Sequence, residues 1–428
     1  MNDMPISRLL PNVETGFADN VFTAKARLVC DSYDKTFTTA ITELSSPDDI
    51  TTLADPWVRL LSFDMMGVGG TWEIEGPVSK SCLCNMERFM EYWHTIAPDK
   101  CHETILKAEQ VYDDSQEPTD DSALLPFSGG VDACYTAYRH THGLAGHKNL
   151  EVKAAMMIHG ADIPLNQPER FDEALEHNRE MLSDIGIDKI HVIRTDYRTI
   201  GDKTFDWGEY THMAFLIAMS SFLSPLYKNV VAGSTYPYHL SPLKWGSNPI
   251  SDTLLGTRFF NVYIDDFSKN RTEKAALVSQ WPMGTEKLRV CWEAPLNGSG
   301  KLNCGHCEKC IRTNLNFLAC GVQLPNMPVL SLKEIKANHG EIHYQEREYE
   351  PLLKYAKEHG CKEPWVSILE RKLNRNRRIL ALPEWVKKVW NYYIRQSARV
   401  FYHKPKTKEE SWARNRYVVH HTIPLKEK

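Results

Sequence analysis

The sequence predicts an α/β protein whose central region is built on a parallel β-sheet. Between residues 122 and 325, short apolar runs with strand character alternate with longer amphipathic runs of helical period. A turn with two adjacent glycines follows the first of these strands, and Thr- and Val-rich alternating segments precede the whole region. Because strands separated by helices form right-handed βαβ units, these strands are expected to lie parallel.

The central region has four predicted strands, at Ser122–Phe127, Val152–His159, Lys189–Arg194 and Asn229–Gly233. The predicted helices between them are Val131–His142, Gln167–Ile185 and His212–Leu223. In parallel sheets, ligands bind beyond the carboxyl ends of the strands. A crevice is therefore expected among four segments: Ser128–Asp132, His159–Asp162, Thr195–Asp196 and Gly233–Tyr238.

Three further segments flank this region. Residues 1–105 are predicted to form a small β-rich or α+β domain, with strands within 23–41 and 58–70 and a helix at Cys84–His94. Residues 106–121 are acidic and polar and are predicted to be a linker. Residues 326–428 are predicted to form a helical extension, basic towards its end.

Composition indicates a soluble globular protein. The chain has 428 residues, 42% of them hydrophobic and 25% charged, with a formal net charge of −4. No apolar run approaches the ~18 residues that a membrane helix needs. No secretory signal is recognisable at the N-terminus, so a cytoplasmic location with mostly reduced cysteines is expected.

The C-terminal segment is basic, although the chain as a whole has a small negative net charge. From residue 371 to the end there are 16 Lys and Arg against 4 Glu. Such a segment, with its interleaved aromatic residues, could bind a nucleic acid or another polyanionic partner. The alternative is a helix that packs its aromatic side chains on the body of the protein. Trp385, Val386, Val389, Trp390 and Tyr393 follow the period of such a helix.

The motif PFSGGVDA at residues 126–133 predicts a phosphate-binding loop. A strand leads into a turn in which Gly129 and Gly130 allow close approach of a ligand to the backbone. The helix that follows offers free N–H groups and the positive end of its dipole to an anion. Ser128 adds a hydroxyl donor, and Asp132 either orients the loop or holds Mg²⁺. The alternative is an ordinary Ser-Gly-Gly loop.

Four cysteines further along the chain have metal-ligand spacing. Cys291, Cys304, Cys307 and Cys310 follow the pattern C-x12-C-x2-C-x2-C, which suits tetrahedral Zn²⁺ in a closed structural site. An iron–sulfur cluster is the rival occupant, and His306 is a rival ligand. The other seven cysteines are expected to be plain thiols.

Two more groups of residues suit a ligand. The long loop after the fourth strand holds Tyr236, Tyr238, His239, Lys244, Trp245, Ser247 and Asn248, which could recognise a planar polar substrate. In FSKNRTEKAALV (267–278), Arg271 and Lys274 share one face of a predicted helix and could reach a polyphosphate. Alternatively, the loop residues only pack within the protein, and the two cations only form a pair on an exposed helix surface.

Together the loop and the cysteines give the chain a resemblance to the PP-loop ATP pyrophosphatases, and among them to the 7-cyano-7-deazaguanine synthases. The resemblance covers about residues 122–325. It implies a parallel sheet of the adenine-nucleotide alpha-hydrolase type with a C-terminal zinc knuckle. It also implies an ATP-dependent C–N ligase that adenylates a small carboxylate or amide-type substrate, possible as a homodimer.

The resemblance assigns roles to particular residues. ATP with Mg²⁺ would bind on the loop, with the adenine near the end of the second strand and with Asp132, Arg271 and Lys274 as the catalytic residues. The residues expected to contact ATP are Phe127, Ser128, Gly129, Gly130, Val131, Asp132, Ala133, His159, Gly160 and Gly233.

Two departures keep other functions open. Ala133 stands where related loops have Ser or Thr, which removes one donor to phosphate. The Gln-Arg-His cluster that serves the synthases' substrate has no counterpart in residues 159–174. The alternatives are a related enzyme that modifies a protein or a nucleic acid, and a nucleotide-binding protein without catalytic activity.

Overall fold

The computed structural model describes residues 7–115, 121–201, 203–291, 302–337, 342–383 and Val386. The chain divides into two compact units, residues 1–303 and 304–428. Of Trp385, Val386, Val389, Trp390 and Tyr393, only Val386 is among the described residues, so the two alternatives for the basic C-terminal segment stay predictions.

The first unit is organised around one ten-stranded sheet. Its strands are β1 (Ser7–Ala18), β2 (Val21–Cys30), β3 (Tyr33–Ile41), β4 (Gly70–Ser79), β5 (Thr104–Tyr112), β6 (Ser122–Pro126), β7 (Glu151–His159), β8 (Ile190–Thr195), β9 (Asn229–Gly233) and β10 (Asn261–Asp265). They lie in the order β10-β9-β6-β7-β8-β3-β2-β1-β4-β5. Most neighbouring pairs are parallel; the antiparallel pairs are β1–β2, β2–β3 and β3–β8.

Helices cover this sheet and close its core. The helices of the first unit are α1 (Asp55–Leu60), α2 (Ser62–Val68), α3 (Lys80–Ile96), α4 (Val131–Thr141), α5 (Pro168–Asp184), α6 (Tyr197–Ile200), α7 (His212–Ser221), α8 (Arg271–Val278) and α9 (Pro282–Glu286). Trp57, Phe63 and Phe215 are buried in one hydrophobic cluster with residues of β1–β4 and β6–β9. Among the described residues, no helix is both long and apolar enough to cross a bilayer.

The predicted α/β class with a large, mostly parallel sheet is confirmed. β6, β7, β8 and β9 begin and end within one residue of the predicted strands. The sequence predictions did not include β10, which extends the sheet beyond β9 with Asn261 opposite Asn229. Its burial does not alternate, because Asn261, Val262 and Ile264 are partly buried and Tyr263 is exposed.

The N-terminal strands join the same sheet, although the sequence suggested a separate domain. β3 runs antiparallel to β8, with Thr39 opposite Thr195 and Ile41 opposite Ile193. The predicted strand at 58–70 is wrong in its type, because α1 and α2 occupy nearly all of it. Residues 58–66 are buried throughout, so the period-2 pattern that separates a strand from a helix is missing. The predicted linker begins inside β5.

The second unit is helical in its described part. Its helices are α10 (Glu308–Ala319), α11 (Leu332–Ala337), α12 (Ile342–Glu358) and α13 (Pro364–Leu380). Ile311, Leu315, Leu352, Leu369 and Leu373 belong to its own hydrophobic cluster. Arg312 lies beside this cluster and pairs with Glu308 at 2.9 Å and with Glu348 at 2.8 Å.

Candidate functional site

The glycine-rich loop lies at the carboxyl end of β6, between the neighbouring strands β7 and β9. The N–H of Phe127 donates to the carbonyl of Met156 in β7 at 2.9 Å. Phe127 and Val131 are buried on either side of the loop, whereas Ser128 is exposed. Gly130 is the extended N-cap residue of α4, and no side chain of the described residues caps it. The first-turn N–H groups of α4 therefore suit an anion.

Gly129 is required by the close packing around the loop. Its φ is +74°, and a Cβ there would lie 2.5 Å from Oδ1 of Asn178, a buried residue of α5. The carbonyl of Gly129 accepts from the N–H of Arg289 at 2.8 Å. The loop is therefore held between α5 and the segment that leads to Cys291.

Asp132 brings the two predicted cations together. Its Oδ2 accepts from Nη2 of Arg271 at 2.8 Å, and its Oδ1 accepts from Nζ of Lys274 at 3.4 Å. Both cations lie on the first turns of α8. The start of α8 is set by a capping box between Asn270 and Glu273. The cations thus share a face, as their spacing predicts.

Lys274 is buried completely, and Ser234 is its second partner. Its ammonium donates to Oγ of Ser234 at 2.8 Å and to the carbonyl of the same residue. Burial lowers the pKa of Lys274, while the carboxylate of Asp132 opposes that shift. Gly233 makes this arrangement possible, since a Cβ there would lie 2.6 Å from the carbonyl oxygen of Asp132.

His159 and Gly160, at the end of β7, are both buried. The His159 ring is buried and stacks on Phe171 with centroids 4.4 Å apart. Its Nε2 lies 3.0 Å from the carbonyl of Pro164, and Nε of Arg194 lies 3.4 Å from its Nδ1. Burial lowers the pKa of His159, so the ring is neutral near pH 7. At Gly160, with φ +101°, a Cβ would lie 2.0 Å from the carbonyl of Thr195.

Two arginines beside the loop were missed by the sequence predictions. Arg289 is 6% exposed, and its Nη1 lies 3.4 Å from the carbonyl of Ser128. Arg170 of α5 donates to the carbonyl of Cys291 at 3.3 Å. Burial lowers the pKa of both guanidinium groups, and the carboxylate of Asp162 opposes this. The position of Arg289, two residues before a predicted metal ligand, was the signal in the sequence that could have found it.

Tyr236, Trp245, Ser247 and Asn248 of the long loop after β9 line one pocket but make different contacts. Trp245 contacts Tyr236 at 5.2 Å and His212 at 5.8 Å between ring centroids. Ser247 and Asn248 instead donate to the buried carboxyl of Asp252, at 3.2 Å from Oγ and 2.8 Å from the backbone N–H. They therefore hold the loop together.

Tyr238 and Lys244 of the same loop are not among the residues that line this pocket. Tyr238 is 61% exposed, and Lys244 lies 4.9 Å above the ring of Tyr210. Burial lowers the pKa of the neighbouring His212 to about 4, so that ring is neutral near pH 7.

The four predicted cysteines form one cluster. Their Sγ atoms all lie within 4.8 Å of one another, and those of Cys304 and Cys310 are 3.9 Å apart. Four thiolates around one tetrahedral Zn²⁺, each at ~2.3 Å from the metal, would be about 3.8 Å apart. The N–H of Cys307 donates to Sγ of Cys304 at 3.3 Å, as expected of a metal-binding turn. The cluster can therefore hold a metal such as zinc. His306 is exposed and is not part of it.

Asn303 bridges the backbone next to the first of these cysteines. Its Oδ1 accepts from the N–H groups of Val290 at 2.9 Å and Cys291 at 3.2 Å. Its Nδ2 donates to the carbonyl of Leu288 at 2.7 Å. Asn303 is buried, so these bonds form out of water and hold residues 288–291 directly against residue 303.

Comparison of the chain with protein-family models, with curated proteins and with solved structures finds no match.

Proposed function

We propose that the chain is an ATP-dependent ligase of the PP-loop type, which adenylates a substrate oxygen and then forms a C–N bond. The observation that carries the proposal is the contact of Arg271 and Lys274 with Asp132, in the first turn of the helix that follows the glycine-rich loop. An aspartate, two cations and free helical N–H groups at one strand end suit a nucleotide polyphosphate with its metal ion.

In the proposed reaction, the polyphosphate binds on the loop from Phe127 to Ala133. Ser128 and the N–H groups at the start of α4 donate to phosphate oxygens. A carboxylate or amide oxygen of the substrate attacks the α-phosphorus of ATP, and the bond from that phosphorus to the bridging oxygen breaks. Pyrophosphate leaves with the bonding electron pair, and Arg271 and Lys274 offset its charge.

An amine nitrogen then attacks the activated carbon and displaces AMP, while its proton passes to solvent. Mg²⁺, when bound through Asp132, would supply further charge compensation at the phosphates. Arg289 lies 3.4 Å from the carbonyl of Ser128, and Arg170 donates to the carbonyl of Cys291 at 3.3 Å. We assign them a positioning role, because these bonds join the loop and the segment of Cys291.

We further propose that the cysteine cluster holds one structural Zn²⁺. The four sulfurs leave no ligand position for a substrate, so the metal would supply stability and not reactivity. Cys291 follows Arg289 by two residues, and its carbonyl accepts from Arg170. A metal bound to Cys291 would thereby fix the segment that contacts the loop.

Calorimetric titration with Mg²⁺–ATP tests the nucleotide site, with Arg271→Gln compared with Lys269→Gln. Both changes remove one positive charge from the same segment, but the ammonium of Lys269 pairs with Glu273, at 3.2 Å, and not with Asp132. Binding that is weakened at least about tenfold by the first change alone supports the site. Equal affinity in both variants would place ATP elsewhere.

Pyrophosphate release separates a ligase from a nucleotide-binding protein. Purified protein is incubated with Mg²⁺–ATP and a metabolite extract, and pyrophosphate and AMP are measured together. Equal amounts of both support adenylation and transfer. Binding of ATP without release would favour the alternative that Ala133 raises, a nucleotide-binding protein without catalysis.

A further inference from the structure

Arg289 is buried without a carboxylate partner among the described residues. It is 6% exposed, and its side chain makes one hydrogen bond there, from Nη1 to the carbonyl of Ser128 at 3.4 Å. The other buried arginines in the described part of the chain each pair with a carboxylate: Arg59 with Asp55 at 3.7 Å, Arg139 with Asp265, and Arg312 with Glu308 at 2.9 Å. Burying a charge without a partner costs free energy. Arg289 is therefore suited to a partner that the described chain does not itself provide.

The charged groups around Arg289 do not supply that partner. Burial lowers the pKa of Arg289, and the guanidinium of Arg170 lowers it further, whereas the carboxylate of Asp162 and the sulfur of Cys291 oppose the shift. Arg170 is held nearby, because its Nη2 donates to the carbonyl of Cys291 at 3.3 Å. Neither Asp162 nor Cys291 bonds to the guanidinium of Arg289 in the described structure. A second positive group thus lies close to a guanidinium that has no bonded anion.

The remaining N–H groups of Arg289 keep contact with solvent. Fully buried side-chain nitrogens without a hydrogen-bond partner occur elsewhere among the described residues, for example in Trp245, but none of them belongs to Arg289. Its Nε and Nη2 are therefore open to solvent, although the side chain as a whole is buried. A buried guanidinium with accessible N–H groups suits an oxyanion, which can accept two N–H bonds in parallel.

The N–H groups of the two loop glycines point away from Arg289. The carbonyl of Ser128 accepts from Nη1 of Arg289, and the carbonyl of Gly129 accepts from its backbone N–H at 2.8 Å. In a trans peptide the C=O and N–H groups point in opposite directions. The N–H groups of Gly129 and Gly130 are therefore directed away from Arg289. A phosphate bound at these N–H groups and an anion bound at Arg289 would occupy different places.

We propose that Arg289 binds an oxyanion, a carboxylate or a phosphate group, in a subsite separate from the polyphosphate site of the loop. One N–H group of its guanidinium stays on the carbonyl of Ser128, and the others donate to the anion. The charge of Arg170 strengthens the subsite. Because this binding needs no nucleotide, the subsite stands whether or not the chain is a ligase.

The stability of the protein without added ligand gives the first test. Arg289→Met removes a buried charge that lacks a partner, so it should leave the melting temperature unchanged or raise it by a few degrees. Arg139→Met is the matched control. Arg139 is buried to a similar degree but pairs with Asp265, so its loss should lower the melting temperature by several degrees. A decrease at Arg289 as large as that at Arg139 would show that Arg289 has its partner within the chain, and would overturn the proposal.

Anion binding is the second test. The melting temperature is measured without nucleotide in sodium acetate and in sodium phosphate, each against sodium chloride at equal ionic strength. At least one oxyanion should raise it by several degrees more than chloride, and the effect should saturate. The acetate and phosphate arms separate a carboxylate from a phosphate ligand. Arg289→Met should abolish the difference, whereas Arg271→Gln, which alters the proposed ATP site, should keep it.

Three results would overturn the subsite. The first is an unaltered chain that responds to acetate and phosphate no more than to chloride. The second is an oxyanion effect that survives Arg289→Met, because the anion would then bind elsewhere. The third is a lower zinc content in Arg289→Met than in the unaltered chain, since Arg289 would then compensate the charge of the cysteine cluster. Failure of ATP to bind would leave the subsite intact.

Discussion

A Cβ at Gly233 would lie 2.6 Å from the carbonyl oxygen of Asp132. The end of β9 therefore touches the first turn of α4, and the neighbouring Ser234 binds the ammonium of Lys274 at 2.8 Å. The small residue Gly233 therefore lies where the end of β9 meets the start of α4, next to the residue that binds Lys274.

Gly233→Ala should displace the first turn of α4. We expect a loss of stability of about 1–3 kcal/mol, as for overpacking of a close contact, together with weaker ATP binding. Melting temperature and calorimetric titration measure the two effects. Gly143→Ala is the control: with φ +67° and no atom within 4 Å of the new Cβ, it should lower stability by backbone strain alone. Unchanged ATP binding in Gly233→Ala would contradict the expected coupling.

Asp132→Asn should destabilise the chain as well as weaken ATP binding. The change removes the only carboxylate bonded to the buried ammonium of Lys274 in the described structure, and breaking such a pair costs about 3 kcal/mol. The double variant Asp132→Asn with Lys274→Met should recover part of that loss, because no buried charge is left unpaired. Chemical denaturation measures both variants. A double variant that is less stable than the single one would refute this account of the pair.

Removal of metal should lower stability without a change in visible absorbance. We expect about one equivalent of zinc per chain by elemental analysis, and a lower melting temperature after treatment with a strong chelator. Cys307→Ser should have the same effect as the chelator. Cys361→Ser is the control, because this half-buried thiol lies outside the cluster. Iron with visible absorbance would identify the rival cluster.

Asp252 should make stability depend on pH. Burial raises the pKa of its carboxyl to about 8, against an ordinary value of about 3.9 in an unfolded chain. Between these values the folded state binds a proton that the unfolded state lacks, so stability falls as pH rises from about 4 to about 8. Asp252→Asn cannot ionise, so its melting temperature should exceed that of the unaltered chain by several degrees more at pH 8 than at pH 5. Parallel pH profiles would show that its hydrogen-bond donors keep Asp252 ionised.

The sequence predictions of secondary structure were most accurate where the local hydrophobic pattern agrees with the packing. β6 through β9 are short apolar strands between helical segments, and their ends were predicted closely because the period changes at each boundary. The cysteine cluster was predicted because four thiol positions at knuckle spacing allow few other arrangements.

Long-range pairing could not be predicted from local pattern. The pairing of β3 with β8 joins residues more than 150 positions apart, and nothing near Thr39 indicates Thr195 as its partner. The burial of His159 also went unpredicted, because a histidine at a strand end has the same local signal whether it faces a ligand or Phe171. Arg289 depends on the path of the chain back to the loop, which no periodicity encodes.

The hydrogen bonds of Asn303 to residues 288–291 affect how the spacing of the four cysteines can change among related sequences. They join the residues that precede the stretch between Cys291 and Cys304 to Asn303 at its other end. We therefore expect that residues can be inserted or deleted within this stretch while residues 288–291 stay bonded to residue 303. The length of the twelve-residue gap can then vary among distant homologues. We expect such homologues to keep an arginine two positions before the first cysteine and an asparagine immediately before the second.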